Sequence, residues 1–130
     1  MKKIFVIVLC ILFLLLAGCE AFIHQYDYED ISENLTKAEI VFYERDGSIS
    51  VIYKSLEYDE SLNLLNDYSQ LYFDAEIPLV GGPAPHYGKS IRAYYKDGSC
   101  RIFTMMGETT QSWAHCNEDE YLKIIDKYLE

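Results

Sequence analysis

Two short stretches, Arg45-Asp46-Gly47-Ser48 and Lys96-Asp97-Gly98-Ser99, constrain this chain more than anything else in it. An Asp-Gly step between β-branched and aromatic runs is one of the strongest short-range hairpin signals, because glycine takes positive φ without strain and aspartate bonds back to the turn. Residues 38–45 and 48–54 flank the first step, and residues 91–96 and 99–106 flank the second. The units also align with each other: Ile40-Val41-Phe42-Tyr43-Glu44-Arg45-Asp46-Gly47-Ser48 matches Ile91-Arg92-Ala93-Tyr94-Tyr95-Lys96-Asp97-Gly98-Ser99 at an offset of 51 residues. A duplication or convergent hairpin chemistry accounts for the match, and both give the same architecture.

Each hairpin is followed by a helical pattern. Asp59 is placed to cap a helix with Leu62, Leu65 and Tyr68 on one face. Residues 71–77 alternate, with Phe73, Ala75 and Ile77 opposed by Tyr72, Asp74 and Glu76, as a strand with one wet face does. Residues 109–116 return as another strand. Asn117 with Glu120 three residues on has the form of a capping box, and Glu118 and Asp119 suit the positive first turn. Tyr121, Leu122, Ile124, Ile125, Tyr128 and Leu129 then form an apolar stripe. The expected fold is α+β: an antiparallel sheet of about five or six strands with two helices, a pseudo-repeat of hairpin-plus-helix units if the duplication is real.

The N-terminus has a different character. Lys2 and Lys3 precede an unbroken apolar run over residues 4–16, and Leu16-Ala17-Gly18-Cys19 closes it with small residues before a cysteine. That order belongs to a removed export signal. Leu16-Ala17-Gly18-Cys19 resembles the lipobox of bacterial lipoproteins. The resemblance implies cleavage between Gly18 and Cys19, with a diacylglycerol on the Cys19 sulfur and a palmitate-type N-acyl chain on its amine. No other cofactor is expected. Two or more chains anchor a protein stably, where one holds it only marginally. An uncleaved anchor is the alternative, although the run is shorter than the roughly 20 apolar residues of a spanning helix. The resemblance places the protein outside the cytoplasm, on the cell membrane if the host is Gram-positive. In a Gram-negative host, Glu20 in place of an aspartate points to the outer membrane. It covers the first nineteen residues only.

The expected organisation is a signal peptide over 1–18, a lipidated N-terminus and tether over 19–37, and a single domain over 38–130. The tether assignment follows Tyr26-Asp27-Tyr28-Glu29-Asp30, which shows no sustained helical period. Twelve tyrosines and six phenylalanines supply bulk for a core in a chain of this length. With 21 acidic and 11 basic residues the net charge is −10. A field of that sign repels nucleic acid and steers cationic partners inward, so no nucleic-acid partner is expected. The membrane is reached through lipid, and the expected partner is a cationic protein. Acidic surfaces also simply keep exported proteins soluble.

Chemistry-bearing motifs are sparse. If Gly107-Glu108-Thr109 forms a three-residue turn, Cys100 faces Cys116 at a separation that a disulfide can close. Outside the cytosol that bond would persist, and two free thiols are the alternative. His24, His86 and His115 lack metal-ligand spacing, so no metal is expected. Gly88-Lys89-Ser90 fails as a phosphate loop, because Pro83 stands where glycine is needed and a strand follows. No serine sits in a nucleophile elbow, and no catalytic residue is expected. The stretch from Gly81 offers a binding loop, in which Pro83 and Pro85 stiffen the chain while His86, Tyr87 and Lys89 supply contacts. A plain connection would look the same, and Trp113 reads as core. The sequence therefore points to a small lipid-anchored envelope protein that binds without catalysing, of inhibitor or immunity type. A structural or assembly accessory subunit and a small hydrolase using His86 or His115 are the alternatives.

Overall fold

A computed structural model describes residues 2–20, 23–75, 87–108 and 114–130. In chain order the elements are α1 (Lys2–Glu20), β1 (Ile23–His24), α2 (Tyr28–Ser32), β2 (Leu35–Tyr43), β3 (Ile49–Ser55) and α3 (Tyr58–Ser69). They continue with β4 (Phe73–Ala75), β5 (Gly88–Tyr95), β6 (Cys100–Thr104), β7 (Gly107–Glu108), β8 (Ala114–His115) and α4 (Glu118–Leu129). The fold is α+β. A five-stranded antiparallel sheet runs β3-β2-β5-β6-β7, and a small second sheet runs β1-β4-β8. Among the described residues no helix is long and apolar enough to cross a membrane.

Both Asp-Gly hairpins form. Glu44 N–H donates to Ser48 O and Gly47 N–H to Glu44 O, at 2.8 and 2.9 Å. Tyr95 N–H donates to Ser99 O and Gly98 N–H to Tyr95 O, both at 3.0 Å. Gly47 and Gly98 share φ 87°, whereas neither aspartate has positive φ. Each loop is therefore a type I turn closed by a left-handed glycine, rather than the two-residue type I′ turn, which needs positive φ at both central residues. The aspartates act from the side: Asp46 Oδ1 accepts from Ser48 N at 2.9 Å and Asp97 Oδ1 from Ser99 N at 2.8 Å.

The hairpins join through β2 and β5, where Ile40 lies opposite Ile91, the same two residues that align in the repeat. A local two-fold through that pair relates the hairpins, so both following helices reach the same face of the sheet.

There α3 buries Leu64, Leu65 and Tyr68, and α4 buries Tyr121, Ile125 and Tyr128. Asn117 caps α4 as expected, its Oδ1 accepting from Glu120 N at 3.0 Å. Asp59 falls inside the first turn of α3, whose N-cap position is Glu57. Ser61 Oγ instead accepts from Ala38 N at 2.8 Å and pins α3 to β2. Tyr26, Tyr68, Phe73 and Phe103 pack ring against ring at 5.2–6.1 Å. Fully burying a side chain such as Phe103 contributes about 1.5–3 kcal/mol.

The structure corrects the expected tether. Tyr26, Ile31 and Leu35 are buried in the core, and α2 is capped by Asp27, whose Oδ1 accepts from Glu29 N at 3.2 Å. The folded domain thus begins at β1, well before residue 38. A five-residue helix is too short for its period to show among alternating acids and aromatics.

The last hairpin is corrected as well. Phe103 pairs with Glu108 and Thr104 with Gly107, so the chain turns at Met105-Met106 and not at 107–109. Thr104 Oγ1 stabilises that turn, accepting from Met106 N at 3.0 Å and donating to Gly107 O at 3.1 Å. Of the strand expected over 109–116, the described part is β8, which pairs with β4 rather than β6.

Candidate binding surface

Gly18 and Cys19 lie in the last turn of α1, five and four residues before β1. Pro83, Pro85 and His86, and with them most of the expected binding loop, fall outside the described residues, as does Trp113.

The described end of the loop, residues 87–89, packs against the molecule. Tyr87 stacks edge-on against Phe42 at 5.9 Å, with the Arg45 guanidinium 5.1 Å from its ring. Lys89 Nζ sits 3.4 Å from Asp126 Oδ1 and 5.6 Å from the Tyr53 ring, while its carbonyl accepts from Tyr121 OH. Lys89 thereby ties β5 to α4, and its cation is already paired.

The altered turn separates Cys100 from Cys116. Cys116 N–H donates to Met105 O at 3.1 Å, and its thiol donates to the same oxygen at 3.4 Å. Met105 lies five strand residues beyond Cys100, roughly 16 Å away. A disulfide needs α-carbons within about 7 Å. The Cys100–Cys116 bond is accordingly not formed, and both are free thiols, Cys100 exposed and Cys116 buried. Burial pushes the Cys116 thiol up to about 11.

Cys100 belongs to a polar cluster on the sheet face opposite the helices. Arg92 Nε donates to its sulfur at 3.4 Å, and the Arg92 guanidinium lies 5.2 Å from the Tyr94 ring. Tyr94 OH donates to the buried carboxylate of Glu39. Desolvation, and then the bond to Glu39, push the Tyr94 hydroxyl up to about 12. Ordinary sequence patterning hides this cluster, since its members come from β2, β5 and β6.

Among the described residues the two histidines, His24 and His115, do not converge on a reaction centre. His115 Nε2 lies 4.0 Å from Asp74 Oδ2 at the small sheet, and His24 packs on Tyr26 and Phe73. Among the described residues no group of three or more His, Cys, Asp and Glu is placed to hold a metal ion.

Charge is sorted by layer. Asp27, Glu29 and Asp30 lie on or beside α2, and Glu57, Asp59, Glu60 and Asp67 on or beside α3, with no basic residue among them. Glu118, Asp119, Glu120, Asp126 and Glu130 outnumber Lys123 and Lys127 along α4. Lys37, Arg45, Lys54, Lys89, Arg92, Lys96 and Arg101 all sit on the two hairpins. The helix layer carries the acidity, and the sheet is close to balanced. A shallow groove of about 400 Å³ runs between α3 and α4 past Asp67, Leu71, Glu120 and Ile124. Asp67 there already accepts from Tyr128 OH at 2.6 Å and Lys127 Nζ at 3.1 Å.

At the far edge of the main sheet, β3 exposes Val51, Ile52 and Tyr53 in succession. Its pairing with β2 skips Tyr53 and Ser50, so the strand carries two bulges. Bulges and an edge lysine, here Lys54, blunt an edge against indiscriminate strand pairing.

No family model, no characterised protein and no solved structure matches this chain.

Proposed function

We propose that this chain is a non-catalytic binding protein of the bacterial cell envelope, anchored by lipid on Cys19, whose acidic helix layer meets a cationic protein partner. An inhibitor or immunity role fits that arrangement. The observation that supports it is the sorting of charge. A net charge spread evenly serves solubility, whereas acids gathered on α2, α3 and α4 over a near-neutral sheet make one face attractive to a basic surface and speed its approach.

The test is capture from the source envelope on the domain from Glu20 onward, eluted with rising salt. A charge-reduced form carrying Asp59→Asn, Asp119→Asn and Glu130→Gln serves as the control. The proposal expects one basic protein, released at moderate salt and weakly held by the control. Capture that is indifferent to both salt and the three substitutions would sink it. The exposed apolar run on β3 favours a second reading, an accessory subunit of an envelope assembly. That reading expects salt-resistant capture that Ile52→Lys abolishes. The anchor is tested separately: Cys19→Ala should remove palmitate labelling and move the protein out of the membrane fraction.

A further inference from the structure

We infer that the anchor fixes how the domain stands on the bilayer: the β1–β4–β8 end faces the lipid headgroups and the β3 edge is held away from them. The inference rests on Cys19 as the point of lipid attachment and specifies what that attachment does.

Tether length carries the argument. A flexible segment running from residue 19 to 37 would reach roughly 60 Å and would let the domain take any orientation. The fold begins instead at Ile23, which pairs with Asp74 on β4. Four peptide steps separate Cys19 from Ile23 and span about 14 Å at full stretch. A domain of about 100 residues has a radius of gyration near 13 Å, so the tether is shorter than the body that it holds. Whatever surrounds β1 must stay close to the bilayer.

The contacts of the first folded residues say which part that is. His24 stacks on Phe73 at 6.0 Å, and Gln25 Nε2 donates to Gln70 O at 2.9 Å. Tyr26 reaches the opposite edge of the main sheet from β3: Glu108 N–H on β7 donates to its hydroxyl at 2.7 Å. Arg101 reinforces that edge, bonding Asp30 of α2 at 3.2 Å and Glu108 at 2.6 and 2.8 Å. From β7 across to β3 is four strand spacings, about 19 Å.

The membrane-facing end suits the place. Tyr72, beside β4, is 65% exposed, and an amphipathic ring of that kind is at home among headgroups. Asp74 and the first-turn acids of α4 lie at the same end and resist spreading onto anionic lipid. The domain therefore stands on this end rather than lying on its helix layer, which leaves the acidic helices open at the side and β3 outermost.

The experiment uses the full chain, lipidated in a bacterial host and reconstituted into phosphatidylcholine vesicles that carry a fluorescent headgroup acceptor. In a Cys100→Ser background a donor is attached at Tyr72→Cys or at Ile52→Cys, both exposed positions, while Cys116 stays buried. The expected result is energy transfer about twofold or more stronger from position 72 than from position 52, given the height difference across the sheet. A long Gly-Ser linker inserted after Glu20 should erase the difference. Equal transfer from both positions in the short-tethered, lipidated protein overturns the inference and leaves the anchor intact, as does a difference that survives the linker. A chain that acquires no lipid and stays off the vesicles overturns both.

Discussion

The turns of the β2–β3 and β5–β6 hairpins are built alike at positions 51 residues apart, from the glycine φ of 87° to the aspartate that accepts from the serine amide. Ile52 and Phe103 stand at equivalent places beyond those turns, yet Ile52 is 58% exposed and Phe103 is 0% exposed. The cause is one extra residue. In the second hairpin the ladder continues without a break, and Phe103 pairs with Ile91 on the helix side of the sheet. In the first, the bulge at Ser50 moves Ile52 from its equivalent partner Ile40 to Val41. A slip of one residue turns a side chain to the other face. Local chemistry thus dictates the turn, and the register beyond it decides what is core.

The largest test of that contrast is Phe103→Ala against Ile52→Ala. The first removes a ring packed on Tyr26 and Tyr68 and should destabilise by about 3–5 kcal/mol. The second should stay within about 0.5 kcal/mol. Denaturant unfolding of the domain measures both, and comparable losses would mean that β3 is covered by more than its neighbours here. Arg101 sharpens the same point, because its equivalent in the first hairpin is the bulged Ser50. Arg101→Gln leaves the Glu108 carboxylate, 6% exposed, without its guanidinium and should cost about 3 kcal/mol. Ser50→Ala should be silent in the same unfolding assay.

Smaller effects test the likeness of the turns. Gly47→Ala and Gly98→Ala each force a β-carbon into the left-handed region and should cost about 1–2 kcal/mol, equally in the two hairpins. At Gly98 a β-carbon would meet nothing within 4 Å, so the cost there is conformational alone. A clear inequality between the two variants would break the equivalence. The smallest effect is in acid. Hydrogen bonds from Ser48 and Ser99 hold the Asp46 and Asp97 carboxyls below their ordinary 3.8. Their contribution is present above pH 3.8 and is lost as pH falls through the lowered folded values. Carbon-detected NMR titration should find both aspartates depressed together, and a shift at only one would separate the turns.

The hairpins, the Asn117 cap and the apolar stripe of α4 were legible because each depends on residues a few positions apart: a glycine at positive φ, a side chain bonding the next turn's amide, a repeat of 3.6. The same locality explains the misreadings. Residues 23–37 look like a tether because β1 and α2 are too short to show a period, and only Tyr26 meeting Phe103 and Glu108 makes them core. The turn after β6 shifts because Thr104 bonds across Met105-Met106, and that shift alone keeps Cys100 and Cys116 apart. The charge count was plain in the sequence, but its gathering into one layer was not, since α2 shows no period in sequence and the helices come together only through their packing on the core. By itself the sequence determined the two hairpins, the terminal helix and the excess of acid. The tertiary structure decided register, burial, where the domain begins and which face is acidic, because those follow from contacts between residues far apart in the chain.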